Sequence, residues 1–306
     1  MSIFRGLPGI VIGNSRRRRI KILSLIDGDI IVHRVGYTTE NDDFNIAKYR
    51  CDEMLDGILI DVSADQYQVY LSDSTENGFR KAICPSYKEN RTLVKPKHYD
   101  ALKEYLLTSW DARITSNQEA DDALGIHQCS INQKNSDDLA LSRKAQSIIC
   151  SIDKDLLQIP GFHWNFVKKE ETLISTAEGR KRFYFQLLTG DTSDNVRGVS
   201  GVGPVKAARF LSGATEEEEL FEITYGVYKD WLKKEWQTEK LDEFQEKQVA
   251  NIVLMTGRLL KIRQVEDEIW QFPKAFKQLE PTQDEELSST LLPLVAKDPS
   301  TEHTKL

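Results

Sequence analysis

Hydrophobic and polar positions follow two regimes along the chain. In the first half, short β-rich runs recur at Lys21–Ile26 (KILSLI), Gln66–Leu71 (QYQVYL) and Gln146–Ser151 (QSIICS), and each predicts a strand. Between them, apolar residues take helical spacing. Ile46, Tyr49, Met54 and Leu55 do so within Asn45–Ile60, and Leu102, Tyr105, Leu106 and Trp110 within His98–Trp110. Gln118–Ile131 reads as a further helix and Ala112–Thr115 as a short strand. Strands alternating with helices predict an α/β fold with a mostly parallel central sheet. After about Thr176 the pattern becomes helical, with helices predicted at Arg180–Leu188, Pro204–Leu211 and within Leu241–Leu260. Gly190–Gly203, rich in Gly, Asp and Ser, interrupts them. Residues 1–20 read as an extension. The stretch beyond Val265, above all Pro281–Leu306, is rich in Pro, Ser, Thr and Glu and predicts a loosely held tail.

Composition narrows the class. The 306 residues are 40% apolar and 29% charged, enough for a sizeable core under a highly charged surface. No apolar run is long enough to span a bilayer. Arg16 to Arg19 are not followed by an apolar stretch of signal-peptide type, so a soluble, cytoplasmic chain is expected. Cys51, Cys84, Cys129 and Cys150 lack zinc-ligand spacing and are expected as reduced thiols, Cys150 within a strand. His33, His98, His127, His163 and His303 are equally scattered and read as surface or satisfied core residues.

The net charge of −7 argues against a nucleic-acid partner, because phosphate binding favours a basic surface. That objection weakens if many of the acids are metal ligands. Charge is also uneven: Arg16–Arg19, Lys88–Lys97 and Lys168–Arg182 are basic, whereas Glu216–Glu219 is acidic and reads as a solvated helix start.

Three predicted strands end in acids: Asp27, Asp73 and Asp153. In an open α/β sheet the carboxyl ends of the strands form the usual ligand crevice, so these acids gather on one rim. Glu119, Asp121 and Asp122 stand at a predicted helix start, with Glu119 and Asp122 on one helical face. Asp153 with Asp155, and Asp191 with Asp194, add two pairs. Any one pair is explained by capping, solvation or a turn. Together they would repel one another unless cations held them. Hard oxygen donors without His or Cys suit magnesium or manganese. Two such ions ~4 Å apart would serve an in-line phosphoryl displacement.

Two further segments bear on this chemistry. Pro85–Arg91 carries Lys88 and Arg91, which share a face if the segment is helical and could then stabilise charge on a phosphate. Tyr87 could stack on a terminal base, the plain alternative being a solvated loop. Gly198, Gly201 and Gly203 form a glycine-rich turn before a helix that carries Lys206. Small residues there let a backbone approach a phosphate, as in a helix-hairpin-helix, and Val199 and Val202 favour that reading over a bare turn.

The motifs LIDGD at Asp27, LSDS at Asp73, PSYKENR at Tyr87–Arg91, EADDALG at Glu119, SIDKD at Asp153 and LTGDTSDNVRGVSGVG at Gly190–Gly203 occur in that order. The series resembles the flap endonuclease superfamily, closest to bacteriophage 5′→3′ exonucleases and the 5′-nuclease domain of bacterial DNA polymerase I. The resemblance covers roughly Lys21 to Arg263. It implies a PIN-like 5′-nuclease core with a helical arch, and an α-helical helix-three-turn-helix module that grips duplex DNA. On this pattern Asp27, Asp73, Glu119, Asp121 and Asp122 would form a first metal site, and Asp153, Asp155, Asp191 and Asp194 a second. Asp153, Lys88 and Arg91 would be catalytic. Tyr87, Lys88, Arg91, Gly198, Gly201, Gly203 and Lys206 would contact DNA. Two Mg2+ or Mn2+ ions are implied, with K+ at the hairpin.

The organisation expected is a basic extension over 1–20, a nuclease core over 21–175, a helical DNA-binding module over 176–265, and a partly loose segment over 266–306. The stretch from Arg91 to His98 is short and carries Pro96, which argues against a continuous helical arch. Expected substrates are 5′ ends, flaps and nicked duplex DNA, and RNA in RNA–DNA hybrids. The expected protein is a monomer with a role in DNA replication alongside replication proteins, in a host cytoplasm if of phage origin. Two other readings are a non-catalytic, structure-specific DNA-binding protein of the same fold and a PIN-type ribonuclease. The first should have lost some acids and the second should lack the hairpin.

Overall fold

In a computed structural model of the protein, residues 21–73, 78–91, 94–134, 147–281 and Val295 are described. The extension with Arg16 to Arg19 and most of the tail after Pro281 lie outside them. The first half runs β1 (Leu23–Asp27), α1 (Gly28–Thr38), α2 (Phe44–Asp61), β2 (Gln66–Leu71), α3 (Phe79–Ile83), α4 (Tyr99–Ser109), β3 (Arg113–Ile114), α5 (Ala120–Lys134), β4 (Ser147–Cys150), β5 (Gly161–Asn165) and β6 (Glu170–Ile174). The second half runs α6 (Thr176–Thr189), β7 (Gly190–Asp191), β8 (Val196–Arg197), α7 (Pro204–Phe210), α8 (Glu217–Glu235) and α9 (Glu243–Leu260).

The central sheet has the order β3-β2-β1-β4-β5-β6. Every neighbouring pair is parallel except β5 and β6. All four residues of β4 are buried, as expected for a central parallel strand covered on both faces. The chain reverses direction across the sheet at β1, which pairs with β2 on one side and β4 on the other. Such a switch point opens a crevice at the carboxyl ends, and Asp27 stands there. On one face, α1, α2 and α4 bury Ile31, Val35, Leu55 and Leu102 with Ile26 and Val69. On the other, α5 contributes Leu124 to a cluster with Leu25, Ile149 and Leu156.

The elements that escaped the pattern reading include α1 and the β5–β6 hairpin. Helix α1 follows β1 with no linker, because the Asp27 carboxylate caps it by accepting from the Ile30 amide at 3.2 Å. The β5–β6 hairpin has weak alternation, since Glu170 and Glu171 lie exposed on its outer strand. Charge on an edge strand discourages further pairing.

The helical half has its own core. Helices α6 and α9 start at capping boxes, Ser175 with Glu178 and Asp242 with Gln245, which satisfy otherwise unpaired amides. From Val249 on, helix α9 is buried nearly all round, and it packs Val249, Ile252, Val253 and Leu259 against α6 and α8. Trp270 and Phe272 pack on Phe183 and Phe221. The expectation of looseness just beyond Val265 is therefore corrected: two large aromatic side chains anchor this stretch, and Val295 is buried in the same core. Between α3 and α4 the described residues form turns and extended chain rather than a long helix, in keeping with the interruption expected from Pro96. Among the described residues no helix is long and apolar enough to cross a membrane. All four cysteines are buried and unpaired, Cys150 within β4.

Candidate active site

The rim begins at Asp27, almost fully buried, with its second oxygen accepting from the Ser151 hydroxyl at 2.7 Å. Burial and the nearby Asp29 carboxylate push its carboxyl up to about 7. Asp29 lies in the first turn of α1 and accepts the Ser72 amide at 3.0 Å, tying β1 to the end of β2. Sequence reading overlooked this second acid of the Asp-Gly-Asp motif. Its signal was the position one residue past a capped helix start. Asp73 follows β2 on the same rim, and its amide donates to the Thr115 hydroxyl at 3.3 Å.

Helix α5 delivers the next acids, and they separate. Asp121 feels Asp27, Asp153 and Glu119, and burial together with those charges holds its carboxyl well above the usual range. Burial alone would also raise Glu119, but the Lys88 ammonium and Arg80 guanidinium outweigh it and hold that carboxyl low. Asp122 has no solvent exposure. Its oxygens take both terminal nitrogens of Arg80, at 2.6 and 2.8 Å, and the amides of Arg263 and Glu119. The expected role of Asp122 as a metal ligand does not fit these surroundings, because its lone pairs are already engaged. It acts as the anchor of α5.

Arg80 is the other residue that sequence reading missed. It is buried on α3, paired with Asp122, and donates to the carbonyls of Leu259 and Lys261 at 2.9 and 2.8 Å. Nothing local marks it, since its partners lie in distant parts of the chain.

The second group sits beyond β4. The Asp153 carboxyl is raised by burial and by Asp194 and Asp191. Asp155 is raised to about 8 by burial, the Asp153 charge and its hydrogen bond with Asp191. Burial pushes Asp191 up, but hydrogen bonds from Ser193 and Asp155 prevail and hold it low. Gln186 of α6 donates to Asp155 at 2.6 Å, linking this group to the helical half.

Residues 85–91 connect the two groups. They form turns rather than a helix, and Lys88 has a left-handed backbone with φ of 58°. The expected helical face is corrected accordingly. Lys88 and Arg91 still converge: Lys88 pairs with Glu119, and Arg91 with Asp194. The Lys88 amide donates to the Asp194 carbonyl at 2.9 Å. Tyr87 is only 3% exposed. Its hydroxyl lies 2.8 Å from Asp194 and 3.1 Å from Glu119. The expected base-stacking role for Tyr87 is corrected, since neither ring face is open. The phenol instead spans the two acid groups.

Among the described residues no three acids stand in ready-made ion-ligating geometry. Their chemistry nonetheless suits a hard divalent ion. The donors are all oxygens, and four of these carboxyls (Asp27, Asp121, Asp153 and Asp155) are raised where burial and like charges meet.

The glycine turn follows directly. Gly198 crosses the end of α6 so closely that a Cβ would lie 2.2 Å from the Thr189 carbonyl carbon. At this point it serves as a backbone crossing. Gly201 has φ of 76°, and Gly201 and Gly203 have nothing within 4 Å of where a Cβ would stand. Val199 is buried in the helical core and Val202 packs against it. Lys206 lies on the exposed first turn of α7.

A mostly parallel sheet with this acid rim and a glycine turn beside it defines a nuclease of the 5′-nuclease class. The chain belongs to the 5'-3' exonuclease family: the family's N-terminal resolvase-like domain matches residues 22–184, more than half of the chain. It is 25% identical over 217 residues to a 5'-3' exonuclease of Mycoplasmopsis pulmonis, covering 65% of this chain and 68% of that one. It is 28% identical over 200 residues to the flap endonuclease Xni of a Shewanella species, covering 61% of this chain and 72% of that one. In fold it is similar to the T5 D15 protein co-crystallised with metal ions, with a TM-score of 0.50 and 16% identity over 66% of this chain and 78% of that one.

Proposed function

We propose that the protein is a divalent-metal-dependent 5′→3′ exonuclease and flap endonuclease that hydrolyses phosphodiester bonds at 5′ ends, nicks and flaps of DNA. The observation that carries this reading is the convergence of Asp27 at the end of β1, Asp121 at the start of α5, and Asp153 and Asp155 beyond β4 on one rim of the parallel sheet, where burial and like charge raise all four carboxyls. Buried like charges of this kind are retained where cations are to be bound. Asp27, Asp73, Glu119 and Asp121 would hold one magnesium or manganese ion, and Asp153, Asp155, Asp191 and Asp194 the other. Bound there, the ions would supply charge that lowers the pKa of an attacking water and stabilises the leaving oxygen.

The chain's own residues do the rest. Lys88 and Arg91, now paired with Glu119 and Asp194, would turn to the scissile phosphate and offset its developing charge. Tyr87 positions Glu119 and Asp194 through its hydroxyl. Arg80 and Asp122 hold the start of α5 in place. The hairpin at Gly201–Lys206 would grip duplex DNA behind the cut through sequence-independent contacts. The nuclease core would extend over 21–175 and the DNA-binding module over 176–265. A monomer is expected, with a replication role that includes removal of RNA from RNA–DNA hybrids.

A 5′-labelled flap substrate tests the proposal. Magnesium should release short 5′ products, and Asp153→Ala with Asp155→Ala should abolish their release. Lack of cleavage with both magnesium and manganese, with flap binding that persists in chelator, would favour the non-catalytic reading instead. Cleavage of RNA flaps in preference to matched DNA flaps would favour a ribonuclease.

A further inference from the structure

The hairpin lysine has a partner that catalysis does not explain. Lys206 folds back along the first turn of α7, and its ammonium donates to the Gly201 carbonyl at 2.8 Å. The left-handed conformation of Gly201 is the one that glycine adopts without steric cost. Two neighbouring carbonyls each accept one amide, Val199 from Val202 at 3.0 Å and Gly203 from Ala207 at 3.0 Å, and keep a second lone pair. A potassium ion needs several carbonyl oxygens at once. Here it would share the Gly201 oxygen with a positive charge already in place. At this carbonyl the Lys206 ammonium therefore stands in competition with the monovalent ion that the family resemblance implies.

We propose that the Lys206 ammonium is itself the hairpin's monovalent cation, fixed on the Gly201 carbonyl and facing a DNA phosphate, so that the grip on DNA does not need potassium. An ammonium has three donors and no acceptor, so two remain for phosphate oxygens after the carbonyl is met. Open space around Gly201 and Gly203 allows a sugar–phosphate backbone to approach. Lys206 and Arg209 lie on the exposed side of α7, whose only buried residue is Ala207. The inference rests on the reading of this hairpin as a DNA grip.

The test is binding of the full chain to fluorescein-labelled flap DNA, read by anisotropy with calcium present to neutralise the acid rim. Potassium, sodium and tetramethylammonium chloride are compared at one ionic strength. The wild-type dissociation constant should agree within about twofold across the three salts, because total salt and not ion identity sets the electrostatic term. Lys206→Met, an exposed change whose folding is checked by circular dichroism, should bind about tenfold more weakly in tetramethylammonium and recover several-fold in potassium. Lys206→Arg should keep the indifference to ion identity. Wild-type binding several-fold tighter in potassium would overturn the inference. So would a Lys206→Met loss equal in all three salts, which would make Lys206 an ordinary phosphate contact. Absence of DNA binding in every salt would sink the nuclease reading itself and this inference with it.

Discussion

Replacing Arg80 by methionine is expected to destabilise the folded protein by about 3–5 kcal/mol, the usual cost of removing one partner of a buried ion pair. The estimate follows from what the guanidinium satisfies. Arg80 and Asp122 are almost fully buried, with side-chain exposures of 5% and 0%. Methionine preserves much of the volume over the Phe79 ring but leaves the Asp122 charge with only two amide donors. It also strips donors from the carbonyls of Leu259 and Lys261, each orphan costing about 1–3 kcal/mol before relaxation. Replacing both partners by apolar residues is often nearly neutral. Here Arg80→Met with Asp122→Leu should remain destabilising, because the amides of Glu119 and Arg263 also lose their acceptor. The double variant should nonetheless cost less than the two single changes added together, since no buried charge is left unpaired. Urea denaturation followed by circular dichroism, run as a double-mutant cycle, measures both quantities. A single-variant loss below about 1 kcal/mol, or strict additivity of the two changes, would refute the assignment of Arg80 as the anchor of α5.

Other expectations follow from the same geometry. Asp27 and Asp155 have folded values of about 7 and about 8 against an ordinary 3.8. Groups raised in this way contribute stability that is full below their unfolded value and is lost as pH rises through the folded value. The metal-free protein should therefore be less stable and melt lower at pH 8 than at pH 5.5, by about 2 kcal/mol if Asp27 acts alone, since the loss runs only from pH 5.5 up to its folded value of about 7, and magnesium should flatten that slope. A melting temperature that climbs from pH 5.5 to 8 in chelator would contradict it. Lys88→Met should tighten divalent-metal binding without DNA, measured calorimetrically, because the ammonium now competes for Glu119. An unchanged or weaker affinity would mean that Lys88 supports the metal site. Gly198→Ala should cost several kcal/mol and lower expression of folded protein, because its methyl would meet backbone atoms of Thr189 and Gly190 at 2.2 and 2.4 Å. Wild-type thermal stability in that variant would show that the crossing can relax.

The acid rim was legible because its residues sit at strand ends, and a parallel sheet brings strand ends together whatever the details of packing. Asp27, Asp153 and the α5 acids needed only the alternation of strand and helix to be placed. The hairpin was legible for a similar reason: its glycines, Gly198, Gly201 and Gly203, lie close together in the chain, and their spacing is local. The division of labour within Glu119–Asp122 was not legible. Helical spacing put Glu119 and Asp122 on one face, and both do reach Arg80. Which carboxylate keeps its lone pairs depends on a guanidinium that comes from α3.

Local pattern by itself determined β1 to β4, most of the helices, the mostly parallel sheet and the set of carboxylates, since these depend on periodicity and on near neighbours in sequence. Tertiary structure alone decided which acids remain available. Arg80 reaches Asp122 across 42 residues, and the Tyr87 hydroxyl reaches Asp194 across 107. It also decided that Trp270 and Phe272 are anchors rather than tail. The reason is physical: a side chain's chemistry depends on its burial and on the charges that face it, and both are properties of packing between segments that no local pattern encodes.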